Sequence, residues 1–259
     1  MAGTDLKKAE GPRPGPAVVL VRPQMGENIG AAARAMKNFQ LGEMRIVAPR
    51  DGWPNDKAYA MSSRADDILD AAGLYESTAD AVADLQAVYA TTARARDMEK
   101  PVMTPRQAAS DIARRIAAGE RTGILFGGER AGLDNDDVVL ASALIHIPTN
   151  PGYASLNLGQ AVLLLSYEVF LTGQGPAGAT EGRGEGARGT PAAMRERLFF
   201  YERLEAELDR HGFLKPPEKR TSMVRNIRNI FQRADPSEQE LRTLHGVISA
   251  LIRRDEDGA

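Results

Sequence analysis

The chain has 259 residues, of which 42% are hydrophobic, a formal net charge of −2 and no cysteine. This length can bury one substantial core and leave material for a small second unit. The lack of cysteine excludes disulfides, thiolate metal sites and cysteine nucleophiles, and three scattered histidines argue against a histidine metal site, so we expect no metal.

The N-terminal residues 1–16 are rich in glycine, proline and charge, which predicts a disordered tail rather than a signal peptide. No run of apolar residues approaches the length needed to span a bilayer. We therefore expect a cytoplasmic protein that makes no contact with a membrane.

Short β-branched and apolar runs then alternate with segments of helical periodicity. Strands are predicted at 18–23, 44–49, 87–91, 123–126 and 144–147. Helices are predicted at 29–39, 105–118 and 156–171, with Asn28 as the N-cap of the first and Ser155 as the N-cap of the last. The alternation predicts an α/β domain over 17–172, with a mainly parallel sheet covered on both faces.

Residues 173–192 contain seven glycines and no large apolar side chain, which predicts a flexible Gly-rich linker. A cut in such a linker is expected to expose no core. Apolar residues return at helical spacing in 193–211 and 238–253, so 193–254 are predicted to form a small all-helical domain.

A basic stretch lies inside this helical domain, although the chain as a whole is acidic. Between Arg210 and Arg233 there are seven basic residues and one acidic residue, a pattern typical of contact with an RNA backbone. Arg225 and Arg228, with Asn226 and Asn229, predict one polar helix face; a solvated charged face without a ligand is the alternative. The candidate RNA contacts are Lys219, Arg220, Arg225, Arg228 and Arg233.

Three segments join glycines and polar residues to a predicted strand or helix end, where α/β folds build their sites. In ENIGAAARAMKNF, Arg34 shares a helix face with small residues, so a ligand has room beside its guanidinium. In ILFGGERAGL, adjacent glycines are expected to let backbone amides approach a ligand. In IHIPTNPGYASLNLGQAV, a helix start can receive an acceptor. Each segment taken alone could equally be an ordinary cap, turn or solvated face.

Taken together, NIGAAARAM, LFGGERAGL and IPTNPGYASLNLGQAV resemble the three motifs of the SpoU/TrmH branch of the SPOUT methyltransferases. Within that branch, RAMKNFQL, SLNLGQAV and the C-terminal FFYERLEAELDRHGFL and MVRNIRNIF are similar to the bacterial TrmJ enzymes. The resemblance implies a knotted SPOUT domain with a trefoil knot, a homodimer, and S-adenosylmethionine bound in the knot. It also implies 2′-O-ribose methylation of tRNA, in TrmJ enzymes at nucleotide 32 of the anticodon loop. Methylation of a ribosomal RNA ribose, or a non-catalytic RNA-binding role, remain the alternatives.

The resemblance also implies site residues by position. Those expected to be catalytic are Asn28, Arg34 and Ser155, with Arg34 acting across the dimer interface. Those expected to surround the cofactor are Thr91, Thr92, Ala93, Gly127, Gly128, Glu129, Ile147, Ala154, Ser155, Leu156 and Asn157. The chain has Gly-Gly-Glu where the family more often has Gly-Asn-Glu, so position 128 is given no side-chain role. Arg34 is expected either to accept the hydroxyl proton or to hold a substrate phosphate and stabilise negative charge; both readings stay open.

Overall fold

The computed structural model describes residues 10–92, 100–173 and 190–256. Most of the predicted N-terminal tail, Ala93 and most of the predicted linker lie outside the described residues. The strands are β1 (Ala17–Val21), β2 (Met44–Val47), β3 (Gly73–Tyr75), β4 (Ala87–Thr91), β5 (Val102–Met103), β6 (Thr122–Gly127) and β7 (Ala143–Ile145). The helices are α1 (Gly26–Asn38), α2 (Asp56–Ser62), α3 (Asp66–Asp70), α4 (Thr78–Val82), α5 (Pro105–Ala117), α6 (Asn135–Val139), α7 (Leu158–Thr172), α8 (Met194–Arg210), α9 (Pro217–Ala234) and α10 (Glu238–Glu256).

The predicted α/β fold is confirmed, and each predicted strand is present within a few residues of its expected position. The elements that sequence periodicity missed are β3, β5, α2, α3, α4 and α6. All of them are short. A helix of five to seven residues completes at most two turns, so it shows no repeating apolar face.

The seven strands form one parallel sheet in the order β3-β2-β1-β6-β4-β7-β5. Strand β1 is buried at all five positions because helices cover both faces. Val18 and Leu20 face one apolar cluster, whereas Val19 and Val21 face the other. The order brings the carboxyl ends of β1, β6, β4 and β7 to one edge of the sheet. The trefoil knot stays a prediction.

Two predicted helix starts are wrong. Helix α1 begins at Gly26, and its N-cap is Met25, which makes no side-chain capping bond. Asn28 therefore lies in the first turn, and its side chain is free for another use. Helix α7 begins at Leu158, where Asn157 and Gln160 form a capping box. This reciprocal pair satisfies the free amides of the first turn, so Ser155 remains outside the helix.

The predicted C-terminal helical unit is confirmed, and it packs directly on the sheet domain. Met194 is fully buried in the apolar cluster on the second face of the sheet. Its backbone N–H donates to Leu85 O at 2.9 Å, and Gln232 Nε2 donates to Leu140 O at 2.9 Å. The expectation that a cut in the linker would expose no core is therefore wrong, because α8 supplies part of the core of the sheet domain.

Candidate active site

The described site residues lie at the carboxyl edge of four neighbouring strands. Residues 22–28 follow β1, Gly128 and Glu129 follow β6, Thr92 follows β4, and residues 146–157 follow β7. In open parallel sheets this edge is where ligands bind. Segments more than 100 residues apart in sequence thus meet in one place.

A chain of side-chain hydrogen bonds connects the three motif segments. Asn28 Nδ2 donates to Glu129 Oε1 at 2.6 Å, and Asn157 Nδ2 donates to Asn28 Oδ1 at 2.8 Å. The other carboxylate oxygen of Glu129 accepts the backbone N–H of Gln24 at 2.8 Å. Asn28 is buried, and its amide uses one end to donate to the carboxylate and the other to accept from Asn157. An aspartate at position 28 would place a second negative charge against Glu129.

The two glycines after β6 are required by the protein's own packing. A Cβ at Gly127 would lie 2.2 Å from the backbone N of Leu133, and one at Gly128 would lie 2.3 Å from Arg22 O. The loop closes on itself, with Gly132 N donating to Gly128 O at 2.9 Å. On the side where a Cβ would lie, these glycines therefore make room for backbone, and the approach of their amides to a ligand stays a prediction. The same contact explains why this chain has glycine at position 128.

Arg34 lines a cleft of about 210 Å³ between α1 and α7. The other lining residues are Ala31, Ala35, Asn38, Asn157, Gly159, Gln160 and Leu163. The helices approach closely, since a Cβ at Gly159 would lie 2.8 Å from the Cβ of Ala31. Arg34 is exposed, and its Nη1 donates to Ser63 Oγ at 3.0 Å. The candidate catalytic arginine and the end of the Glu129–Asn28–Asn157 chain therefore share one cleft.

The segment between β7 and α7 offers unpaired backbone donors. Among the described residues, the backbone N–H groups of Ala154, Ser155 and Leu156 have no hydrogen-bond partner. Leu156 and Ile147 are half-buried, and Ile147 packs against the core. Backbone groups beside apolar side chains are usually paired, so this loop is suited to bind a ligand with polar edges and an apolar body.

The remaining predicted cofactor residues differ in exposure and in whether their hydrogen-bonding groups are already used within the sheet. Thr91 Oγ1 donates to Leu125 O at 2.9 Å, so this side chain is used within the sheet. Thr92 continues the ladder, with its N–H donating to Ile145 O at 3.0 Å. Ser155 is exposed, and Ala154 is half-buried. Ala93 lies outside the described residues.

The predicted basic face on α9 contains both exposed and half-buried side chains. Lys219 and Arg233 are exposed, and Arg220 makes only a 3.5 Å contact to Asp209. These three cations have access to solvent and could meet a polyanion.

Arg228 and Arg225 are half-buried and make ion pairs. Nε and Nη2 of Arg228 donate to the two carboxylate oxygens of Glu205, at 2.6 and 2.9 Å, and its carbon Cζ lies 5.8 Å from the Tyr201 ring centroid. Arg225 donates to Asp136 of the sheet domain at 2.8 Å. The single polar face predicted from their spacing is thus replaced by packing against α8 and α6.

Two residues of this region did not emerge from the sequence. Gln160 completes the cap of α7, and the Asn-x-x-Gln spacing was the signal that could have found it. Ser63 holds Arg34 from a different loop, and no local pattern marks it. Among residues 10–92, 100–173 and 190–256, no group of three or more acidic or histidine residues could hold a metal ion. No helix in that part of the chain is long and apolar enough to cross a membrane.

Comparison with known proteins gives concordant matches. The family model described as the SpoU rRNA Methylase family matches residues 15–167, and the model for the C-terminal domain of tRNA methyltransferase TrmJ matches 196–258. The chain is 35% identical to the tRNA (cytidine/uridine/adenosine-2′-O-)-methyltransferase TrmJ of Pseudomonas aeruginosa, over 90% of this chain and 91% of that protein. It is 34% identical to the tRNA (cytidine/uridine-2′-O-)-methyltransferase TrmJ of Photorhabdus laumondii, over 90% and 95%. The solved structure of TrmJ from Z. mobilis superposes with a TM-score of 0.81 at 45% identity, over 91% of this chain and 98% of that one.

Proposed function

The chain belongs to the SpoU rRNA methylase family, and from that membership we propose that it transfers the methyl group of S-adenosylmethionine to a ribose 2′-hydroxyl of tRNA. The relatives named as tRNA 2′-O-methyltransferases match over nine tenths of the chain, including the helical unit. We further propose nucleotide 32 of the anticodon loop as the target. A tRNA substrate would place the enzyme in the cytoplasm.

One observation carries the proposal: the Glu129–Asn28–Asn157 hydrogen-bond chain ends in the cleft that contains Arg34. This series of hydrogen bonds holds three segments from different parts of the sequence in fixed positions relative to one another. Methyl transfer needs an oxygen held in line with the methyl donor, so a rigid wall beside an exposed cation suits that chemistry.

For the cofactor, we propose the loop from Ile147 to Asn157 and the strand ends beside it. The unpaired amides of Ala154, Ser155 and Leu156 would bind its polar edges, and the half-buried Ile147 and Leu156 would cover its adenine ring. Thr92 and the Gly127–Gly128 turn would form the adjoining wall. When bound, S-adenosylmethionine supplies an activated methyl group, so the protein has to bind and orient rather than create the reactive carbon.

For Arg34 we propose an electrostatic role. A guanidinium stays protonated at any physiological pH, so use as a base would require an unfavourable neutral form. As a cation it can donate to a substrate phosphate and to the 2′-oxygen, which becomes negative as the hydroxyl loses its proton to solvent, while the new C–O bond forms and the C–S bond of the cofactor breaks. For Ser155, which is exposed within the same loop, we propose that its hydroxyl donates to the same substrate group.

We also propose that the active enzyme is a homodimer that pairs through α7. This helix is rich in apolar residues, and one face holds Leu163, Leu164, Tyr167 and Leu171 at 38–43% exposure. A helix of this composition is normally covered. Leu163 also lines the Arg34 cleft, so a partner seated on this face would lie against the site. We propose that the partner's Arg34 completes it.

The proposed function is tested by methylation of a panel of purified tRNAs and of ribosomal RNA fragments, with the product nucleoside identified by mass spectrometry. We expect a 2′-O-methylated pyrimidine at position 32 of tRNA, formed equally with and without EDTA. Methylation of ribosomal RNA alone would identify the other substrate class. Activity lost on chelation and restored by a divalent ion would contradict the metal-free proposal.

The helical unit is proposed to contact the tRNA backbone through Lys219, Arg220 and Arg233. Replacing Lys219 and Arg220 together by alanine should make the log–log slope of tRNA affinity against salt shallower by about 1 to 2 units, because each cation that engages a phosphate releases counterions. Filter binding between low and moderate salt measures this slope.

The matched control for the salt measurement is Arg121→Ala. Arg121 is also exposed, but it precedes β6 at the opposite edge of the sheet and pairs with Glu43. We expect its removal to leave the slope unchanged. An equal change per charge removed for Arg121→Ala and for the α9 double variant would mean that net charge, and no particular surface, sets the affinity.

A further inference from the structure

The turn between α2 and α3 contains two consecutive residues in the left-handed backbone region. Ser63 has a φ of 50° and Arg64 a φ of 74°. Neither is glycine, and residues with a Cβ occupy this region at a cost in free energy. Such conformations persist only where neighbouring groups hold them, and they concentrate at functional sites.

The group that holds this turn is a second cation of α1. Lys37 Nζ donates to Arg64 O at 3.0 Å and pairs with Asp67 at 2.6 Å. Lys37 lies one turn after Arg34 on the same helix, so both side chains reach the same loop. The turn is also closed by the Ala65 N–H, which donates to Ser62 O at 3.2 Å.

Arg34 is anchored by this turn. The bond from its Nη1 to Ser63 Oγ, at 3.0 Å, is its one side-chain hydrogen bond within the described part of the chain. An exposed arginine otherwise samples many rotamers. With Nη1 held by Ser63, the other N–H groups of the guanidinium stay available to a ligand in the cleft.

We infer that Ser63 is a positioning residue for Arg34 in methyl transfer, an inference that rests on the proposed function. The left-handed turn presents the hydroxyl to the guanidinium, and Lys37 keeps the turn in that shape. Ser63 itself needs no contact with the substrate. Its effect is on the rate of the step in which Arg34 takes part.

The test compares Ser63→Gly with Ser63→Ala. Glycine takes a φ of 50° without strain, so the first variant removes the hydroxyl and keeps the turn, whereas alanine removes the hydroxyl and adds strain. Both should lower kcat by about tenfold, the loss expected for one hydrogen bond to a charged group. KM for tRNA and Kd for S-adenosylmethionine should stay within about twofold. Ser63→Asn, which tolerates the left-handed backbone and keeps a side-chain acceptor, should retain more of kcat than Ser63→Ala.

Two further measurements separate positioning from a structural effect. In an Arg34→Ala background, Ser63→Gly should cause no further loss of kcat, because the two residues act as one unit. NMR relaxation of the Arg34 Nε–H should show greater mobility in Ser63→Gly than in the wild type. The inference would be overturned by a wild-type kcat in Ser63→Gly or by a further loss of kcat in the Arg34→Ala background. Unchanged mobility of Arg34 in Ser63→Gly would overturn it as well. If the wild type does not methylate RNA, the proposed function fails, and the relaxation measurement still tests the contact.

Discussion

Replacing Arg34 by alanine should lower kcat for tRNA methylation by about 10²–10³-fold, the loss typical when one donor to a developing oxyanion is removed. Binding of S-adenosylmethionine should change little, because the Arg34 cleft includes only the last residue, Asn157, of the loop that we assign to the cofactor. Single-turnover methylation and titration calorimetry measure the two quantities. Arg106→Ala is the control, since Arg106 is also an exposed helix arginine but pairs with Glu168 on the surface.

The same variant tests whether Arg34 acts across the dimer. Subunits with Arg34→Ala can be mixed with subunits that carry Leu156→Asp in the proposed cofactor loop. If Arg34 serves the partner's site, each heterodimer has one intact site and should show about half of the wild-type activity. If Arg34 serves its own subunit, neither site is intact. Inactive heterodimers, verified by mass spectrometry, would therefore count against a shared site.

Asp235→Asn should lower the free energy of unfolding by about 3–5 kcal/mol, because it leaves a buried guanidinium without its counter-charge. Asp235 joins the two units of the chain: Arg197 of α8 and Arg115 of α5 each donate to it at 2.8 Å. Arg197 is 0% exposed and has no other carboxylate partner among the described residues. Asparagine tolerates the left-handed backbone at this position, where φ is 49°, so the variant isolates the charge.

Urea denaturation measures this effect, and Asp136→Asn is its control. Asp136 also joins the two units, through Arg225, but its side chain is 78% exposed, so we expect a loss of about 1 kcal/mol or less. Similar losses for the two variants would show that the Asp235 cluster contributes no more than a surface ion pair.

The Asp235 cluster also predicts a pH dependence. Burial by itself would raise the pKa of Asp235, but Arg115 and Arg197 outweigh it and hold the pKa below its ordinary value. A carboxyl group with a lowered folded-state pKa contributes stability above its unfolded pKa, about 4, and loses it as pH falls through the folded pKa. The difference in stability between wild type and Asp235→Asn should therefore shrink as the solution is acidified below about pH 4.

The sequence by itself determined the main elements, because their signals are local. The run from Val18 to Val21 is apolar at every position since both faces of β1 are covered, and this pattern can be read without neighbours. The helices of the C-terminal unit repeat apolar residues at helical spacing because one face of each packs against the others. The site segments could be placed at one edge because parallel strands end together.

Only the tertiary structure decided what the individual side chains do. Asn28 could cap a helix or connect two other side chains. It connects Glu129 and Asn157, because the fold brings Glu129, 101 residues away in sequence, beside it. Gly128 faces the carbonyl of Arg22, a contact that no strand-end pattern reveals. Such contacts join residues far apart in sequence, so their partners follow from strand order and not from spacing.

The docking of the helical unit was decided in the same way. A glycine-rich segment predicts that the units on either side are independent, yet Met194 completes the core of the sheet domain and Asp235 neutralises an arginine from each unit. Composition describes the chain between the units and carries no information about the surfaces that meet. The two units join where their surfaces together bury apolar area and paired charges. That burial depends on both surfaces at once.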